Sequence, residues 1–291
     1  MYVLKIKKPI FITLITVVFL TVGLALGSGS KVIISAVAET EESIRLPILM
    51  YHAIMKNDKS KGKYVITPDD FESDLKYIKD NGYTTIVMQD LIDFVYENKP
   101  MPEKPIMLTF DDGYYNNYLY AFPLLKKYDC KIVISPIGKQ CDRYSEIDDK
   151  NPAYAHCSWE NLKEMQDSGL VEIQNHSYDM HSRTKNRCGT MKNKKESFEQ
   201  YKKCLCDDVV LMQHKVEEFL DFTPTTFVFP FGAVSKCSRE ILKQLGFKAT
   251  LGCEEKINKL TKNPEKLFGL YRIVRAPNIS TKAFFQRHIE R

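Results

Sequence analysis

Tryptophan occurs once in 291 residues and histidine six times, and none of the eight cysteines stands in a CxxC pair. Without that spacing a zinc ribbon is disfavoured. The cysteines are left open to disulfide pairing in an exported chain, or to service as buried thiols. No block of like charge stands out in the folded region, and the formal net charge is only +5. The concentrated Lys and Arg footprint of a nucleic-acid binder is therefore missing. Internal repeats are absent too, as is any break that marks a second domain. What is present is ordinary globular material, 44% hydrophobic and 27% charged, long enough to bury one large core or two small ones.

Long apolar runs are confined to one place. Residues 9–26 are apolar, Gly or Thr, and follow Lys5, Lys7 and Lys8. That length is at the short end of a membrane span, and the lysines favour a cytoplasmic N-terminus. Ala36-Val37-Ala38 fits a small-residue cleavage site. The expected organisation is a signal peptide or N-terminal membrane anchor over 1–38, a linker over 39–45 and a folded domain over 46–291. That domain would lie at the extracellular face of the membrane, anchored or secreted, and would touch the membrane only through the N-terminal segment.

Within the domain, apolar segments alternate with helical patterns. Thr67-Pro68-Asp69-Asp70 combines an N-cap, Pro at N1 and acids in the first turn. Phe71, Leu75 and Ile78 keep helical spacing until Gly82. Further helices are expected over 90–96, 119–128, 158–168, 198–220, 238–245 and 281–288. Residues 140–155 read as a polar excursion over the surface, and the Lys- and Asn-rich stretch 182–197 as a loop. About eight short strands interleave with the helices. The fold class is therefore α/β with largely parallel strands, closed or nearly closed into a distorted (β/α) barrel whose strand ends gather at one rim.

The stretch that organises the rest is Ile106-Met107-Leu108-Thr109-Phe110-Asp111-Asp112-Gly113-Tyr114. Its first half reads as a buried strand. Carboxylates do not sit unpaired in a core, so the strand must end in a polar pocket, which in a parallel sheet lies at the carboxyl ends of the strands. Adjacent strand residues face opposite sides, so only a sharp turn lets both acids serve one site, and Gly113 supplies the backbone freedom for it. The same letters also fit a strand closing in an Asp-Gly hairpin turn.

A second cluster is His176-Ser177-Tyr178-Asp179-Met180-His181. On a helix, two residues five apart lie about 140° from one another, so a shared ligand requires a turn. This segment also follows a short apolar strand, which brings it to the same rim as Asp111 and Asp112. Two imidazoles and one carboxylate make a metal site with positions left open for water and substrate.

Thr109 to Tyr114, the His176/His181 pair and Phe229-Pro230-Phe231-Gly232 resemble the first three motifs of the polysaccharide deacetylases, also called NodB-homology or carbohydrate esterase family 4 enzymes. The likeness runs from about residue 46 to the C-terminus. Tyr51-His52 and the five-residue step between the histidines are most similar to the poly-N-acetylglucosamine deacetylase branch, where motif order is circularly permuted. The resemblance implies a distorted barrel of the NodB type. It also implies hydrolytic N-deacetylation of N-acetylglucosamine units in a cell-surface polysaccharide, whether poly-N-acetylglucosamine, peptidoglycan or a chitin-like chain. In that pattern Asp112, His176 and His181 hold a divalent metal, usually zinc, and Asp111 is the general base. The backbone N–H of Tyr114 serves the oxyanion. Pro230 and Phe231 are candidates to line the acetyl pocket, although packing the strand end would suit them as well.

Two departures stand out. The late Leu-x-His motif is lacking, since His288 in Gln286-Arg287-His288 does not match, so His52 at the end of the first strand is the expected acid. The usual arginine of the third motif is replaced in Thr226-Phe227-Val228-Phe229, so Arg272 is expected to orient Asp111, with Arg275 as second candidate. His156 and Trp159 are candidates for a sugar groove, although a lone Trp before a helix also suits a core. These departures keep open a glycan-binding module on a degenerate scaffold, and an O-acetyl esterase would differ only in the acyl acceptor.

Overall fold

A computed structural model describes residues 43–56 and 62–290. The apolar run 9–26 and the cleavage motif lie outside the described residues. Among the described residues no helix is long and apolar enough to cross a membrane. Among the described residues regular structure starts at Ile44, inside the stretch expected to be linker.

The strands are β1 (Ile44–Leu46), β2 (Ile48–Tyr51), β3 (Ala53–Ile54), β4 (Val65–Ile66), β5 (Thr84–Ile86), β6 (Pro105–Asp112), β7 (Ile132–Pro136), β8 (Val171–Ile173), β9 (Thr226–Val228), β10 (Ala249–Leu251), β11 (Asn258–Leu260), β12 (Phe268–Leu270) and β13 (Ile273–Val274). β13, β2, β6, β7 and β8 pair in that order, every pair parallel, with β5 along the first half of β6. β9, β10 and β12 form a second parallel row. A parallel bridge between Asn175 and Phe227 carries β8 onto β9. The two rows thus make one barrel-like circuit, interrupted where Tyr271 and Arg272 separate β12 from β13. Parallel direction is what matters for the site: the segments after β2, β6, β8, β9, β10 and β12 all emerge at the same rim.

β6 is buried along its whole length. Its even positions, Ile106, Leu108 and Phe110, pack outward against Phe71, Leu75, Phe122 and Leu125 of the surrounding helices. The odd positions point into the barrel, where Met107 packs with Ile48, Val133, Val228 and Leu251. Strand alternation alone therefore aims Asp111 inward and Asp112 outward.

The helix Pro68–Asp80 starts with the capping box written in its sequence. Thr67 Oγ1 accepts from Asp70 N–H, and Asp70 Oδ2 accepts from Thr67 N–H. The helices Phe198–Leu220 and Thr281–His288 begin and end where the pattern placed them. Residues 140–155 depart from expectation, because Gly138–Ile147 is a helix. Its buried face rests on Cys141 and Tyr144, too few apolar residues to declare a period among polar neighbours. The eight cysteines are free, and Cys130, Cys141 and Cys157 are buried as thiols.

Arg275 does not reach the rim carboxylates. It makes a bidentate pair with Asp74 at 2.8 and 3.1 Å, and Tyr51 and Thr281 hydroxyls donate to the same carboxylate. Both partners are almost completely buried, so this pair fastens the Pro68–Asp80 helix to the chain just after β13. Removing one partner of a buried pair strands the other charge. Asp74→Ala is expected to lower unfolding free energy by about 3–5 kcal/mol, measured by denaturant titration.

Candidate active site

At the end of β6 the backbone turns through two successive left-handed residues, Asp112 at φ 68° and Gly113 at φ 69°. A Cβ at position 113 would stand 2.6 Å from the Cβ of Pro136, so the turn admits only glycine. The left-handed conformation of Asp112 swings its carboxylate out of strand alternation and back over the rim. Ser177 at φ 69° and Phe231 at φ 58° carry the same strain in the two neighbouring loops. Non-glycine residues pay for that conformation only where surrounding structure holds them in it, and such residues cluster at functional sites.

Asp111 is gripped by Arg272. Arg272 Nη1 and Nη2 donate to the two carboxylate oxygens at 2.6 and 2.8 Å. The remaining donors are also used: Nε bonds the Gly252 carbonyl, Nη1 the Thr109 hydroxyl, and Nη2 faces Cys253 Sγ at 3.7 Å. Thr109 in turn donates to the Leu49 carbonyl. Burial, the largest influence, pushes the Asp111 carboxyl up, but the charge and hydrogen bonds of Arg272, with His176 and His52, together outweigh it and hold Asp111 below the usual carboxylate range. Asp111 is thus a buried, ionised carboxylate with a fixed orientation.

Asp112 faces a different set of groups. His176 Nε2 and His181 Nε2 lie 3.6 and 3.1 Å from its Oδ1, and one donor atom from each residue falls within 4.8 Å of the others. The loop that joins the histidines is held by side chains from elsewhere. Asn175 Oδ1 accepts from Ser177 N–H, and the Asp208 carboxylate of the 198–220 helix accepts from Tyr178 and Asp179 N–H at 2.9 and 2.8 Å. Asp208 went unnoticed in the sequence, where it is one acid on a helix face.

The three side chains fit a divalent cation. His176 Nδ1 lies 2.7 Å from the Val228 carbonyl, a partner that only accepts, so Nδ1 carries the hydrogen and Nε2 can present its lone pair. That lone pair meets Asp112 Oδ1, which is buried and without a hydrogen-bond donor among the described residues. Acceptors aimed at acceptors call for positive charge between them. The edge of a tetrahedron with bonds of 2.0–2.1 Å is about 3.3 Å, and the two histidine–aspartate separations straddle it.

The rim encloses a cavity of about 380 Å³ onto which Asp111, Asp112, His176 and His181 open. Phe231 stands at its mouth, its ring 4.4 Å from that of His181, and the preceding Pro230 is buried. Across the mouth, His52 Nε2 lies 3.9 Å from Asp111 Oδ2, and its ring packs on Tyr64 at 4.5 Å. Burial lowers the His52 pKa, with the charges of Asp111 and Asp112 pulling against it. Tyr114 stacks on His156 at 4.7 Å. The neighbouring Tyr115 and Cys157 N–H groups bond Ala155 and Gly113 carbonyls, and neither bond uses the Tyr114 N–H. His156 Nδ1 contacts the Asp112 carbonyl at 2.9 Å and so braces the turn. Trp159 is buried, bonds Asp142 and stacks on Phe219, away from the cavity. His288 packs on Phe284 in the last helix.

A family model described as polysaccharide deacetylase matches residues 98–250. The chain belongs to the polysaccharide deacetylase family. Among curated relatives, the Escherichia coli (strain K12) poly-beta-1,6-N-acetyl-D-glucosamine N-deacetylase is 26% identical over 231 residues, covering 73% of this chain and 34% of the relative. The first curated relatives are spanned over less than half of their length, 47% and 34%. Among solved structures, IcaB from Ammonifex degensii superposes with a TM-score of 0.66 at 26% identity, covering 80% of this chain and 93% of that one. A de-N-acetylase from Aggregatibacter actinomycetemcomitans gives a TM-score of 0.69 at 25% identity, over 82% and 96% of the two chains. The NodB-type distorted barrel of these deacetylases is the fold described above.

Proposed function

We propose that this chain is a metal-dependent hydrolase that removes the N-acetyl group from N-acetylglucosamine units of a polysaccharide. One observation carries the reading. Two carboxylates adjacent in sequence are given opposite partners, Asp111 a buried guanidinium and Asp112 two imidazoles. Asp112, His176 and His181 would hold the cation. Zinc suits a set of two imidazoles and one carboxylate and, when bound, supplies Lewis acidity that polarises an acetamide carbonyl and acidifies water.

The other roles fall to the protein. Asp111, kept ionised and aimed by Arg272, takes the proton from the attacking water. The Tyr114 N–H faces the oxygen that gains charge as the carbonyl carbon becomes tetrahedral. His52, on the other side of Asp111, gives a proton to the amine nitrogen as the C–N bond breaks, and acetate and a free amine leave. Phe231 and Pro230 shape the acetyl end of the cavity. The relatives named as poly-N-acetylglucosamine deacetylases support this substrate class, and the apolar run over residues 9–26 supports action on the outer face of the membrane.

Acetate release from poly-β-1,6-N-acetylglucosamine, peptidoglycan and chitin oligomers tests the proposal. Release from at least one polymer is expected, abolished by a chelator and restored by added Zn²⁺. Binding of all three without acetate release would leave a glycan-binding module instead. His52 is tested separately. His52→Ala is expected to lower kcat on an acetamide by about 10²-fold or more. Cleavage of 4-nitrophenyl acetate should fall far less, because its leaving group needs no proton.

A further inference from the structure

The loop that follows His181 carries Arg183, Lys185, Arg187, Lys192, Lys194 and Lys195, with Glu196 as its lone acid across residues 182–197. Two of these cations are used within the loop. Arg187 pairs with Glu196, and Lys192 Nζ donates to the Glu196 carbonyl. Arg183, Lys185, Lys194 and Lys195 are exposed, and none of them has a carboxylate partner among the described residues. Unpaired like charges held close together repel one another, which a structural loop has no reason to accept.

The loop is seated on the site. Gly189 N–H bonds the Ser182 carbonyl, closing a hairpin, and a Cβ on Gly189 would come within 2.7 Å of the Pro230 carbonyl. The Thr190 hydroxyl donates to the Ala233 carbonyl, and the Ser235 hydroxyl accepts from Lys192 N–H. These bonds fasten the loop to the segment that presents Phe231. The Arg183 guanidinium lies 4.8 Å over the Phe231 ring and opens onto the same cavity as Asp111 and His181. A second groove, of about 430 Å³, lies within the same loop and is bordered by Lys185, Lys194 and Lys195.

We propose that this loop is a subsite for anionic groups, phosphate or carboxylate, carried by the same polymer whose acetyl group enters the cavity. Resting on the deacetylase reading, this narrows the substrate class to an acidic glycan containing N-acetylglucosamine. A glycan is favoured over a lipid surface because Arg183 lies at the cavity mouth itself. A bound chain must pass there, whereas a membrane pressed on Arg183 would cover the opening.

The test uses poly-β-1,6-N-acetylglucosamine and glycol chitin, each beside its carboxymethylated form. The wild type is compared with Lys185→Ala/Lys194→Ala/Lys195→Ala. At low salt the wild-type KM should be about tenfold lower for the charged form than for its neutral parent, with kcat similar. The triple variant should lose that difference while acting on the neutral polymers as before, and about 0.5 M NaCl should erase it in the wild type. Equal KM values for charged and neutral polymers, or a triple variant that keeps the preference, would overturn the inference. So would a charge-dependent loss of binding to phosphatidylglycerol vesicles with no glycan preference. Equilibrium binding of the polymer pairs to Asp111→Asn reads the subsite without turnover. A preference for the charged polymer there, with no acetate released by the wild type, would uphold the subsite and remove the deacetylase reading.

Discussion

Asp111→Asn is expected to lower kcat for acetate release by about 10²–10⁴-fold while the protein keeps its bound cation. The expectation follows from the division of partners at the end of β6. Asp111 makes its close contacts with Arg272, and the candidate metal cluster draws on Asp112, His176 and His181. An amide at position 111 fills the same space but cannot take a proton from water. Metal analysis and acetate release on one preparation check this. A variant that retained near-normal turnover would remove Asp111 from the role of base. A variant that lost activity and cation together would mean that the two carboxylates do not divide the work.

Arg272 is the second position where a large effect is expected, and it acts through Asp111. Arg272→Met leaves a fully buried carboxylate without its counter-charge, at an expected cost of about 3–5 kcal/mol of stability. Loss of folding alone would not separate support from catalysis, so the informative variant is Arg272→Lys. A lysine keeps the charge but not the two-pronged grip. Burial, which pushes the Asp111 carboxyl up, would then be less fully opposed, and its pKa would rise. The base must be ionised, so activity is lost as pH falls through that pKa. Raising the pKa moves this acid limb to higher pH. A pH–rate profile of Arg272→Lys displaced in that direction, with reduced kcat and a folded protein, is the expected result. An unshifted profile would make Arg272 a packing residue only.

Much of the site was legible because its parts are local. The strand Ile106 to Phe110 runs straight into Asp111-Asp112-Gly113, so one segment declares burial, polarity and a turn together. His176 and His181 could be excluded from a shared helix face by arithmetic alone. One capped helix was equally plain, since Thr67 and Asp70 close its start over three residues. Contacts made over long separations were harder. The sequence marked Arg272 only by its place near a strand, 161 positions from Asp111, and offered Arg275 almost as readily. Folding separates them: Arg272 falls in the break between β12 and β13 and turns inward, while Arg275 turns out to Asp74. The Lys- and Asn-rich stretch 182–197 reads as a loop, which it is, but nothing local shows that Gly189 packs on Pro230. Helix Gly138–Ile147 was missed because most of its residues are polar and its two buried anchors make a weak period.

The claim on which the rest depends is that Asp112, His176 and His181 together hold one divalent cation that acetate release requires. The most direct measurement is cation stoichiometry and acetate release in the wild type and in His176→Ala, His181→Ala and Asp112→Asn, with protein emptied by chelator and titrated with Zn²⁺. Activity in the wild type should rise linearly and stop at one equivalent, and each variant should lose both tight binding and turnover. Undiminished acetate release from chelated protein, or one tightly held equivalent in the variants, would contradict the account.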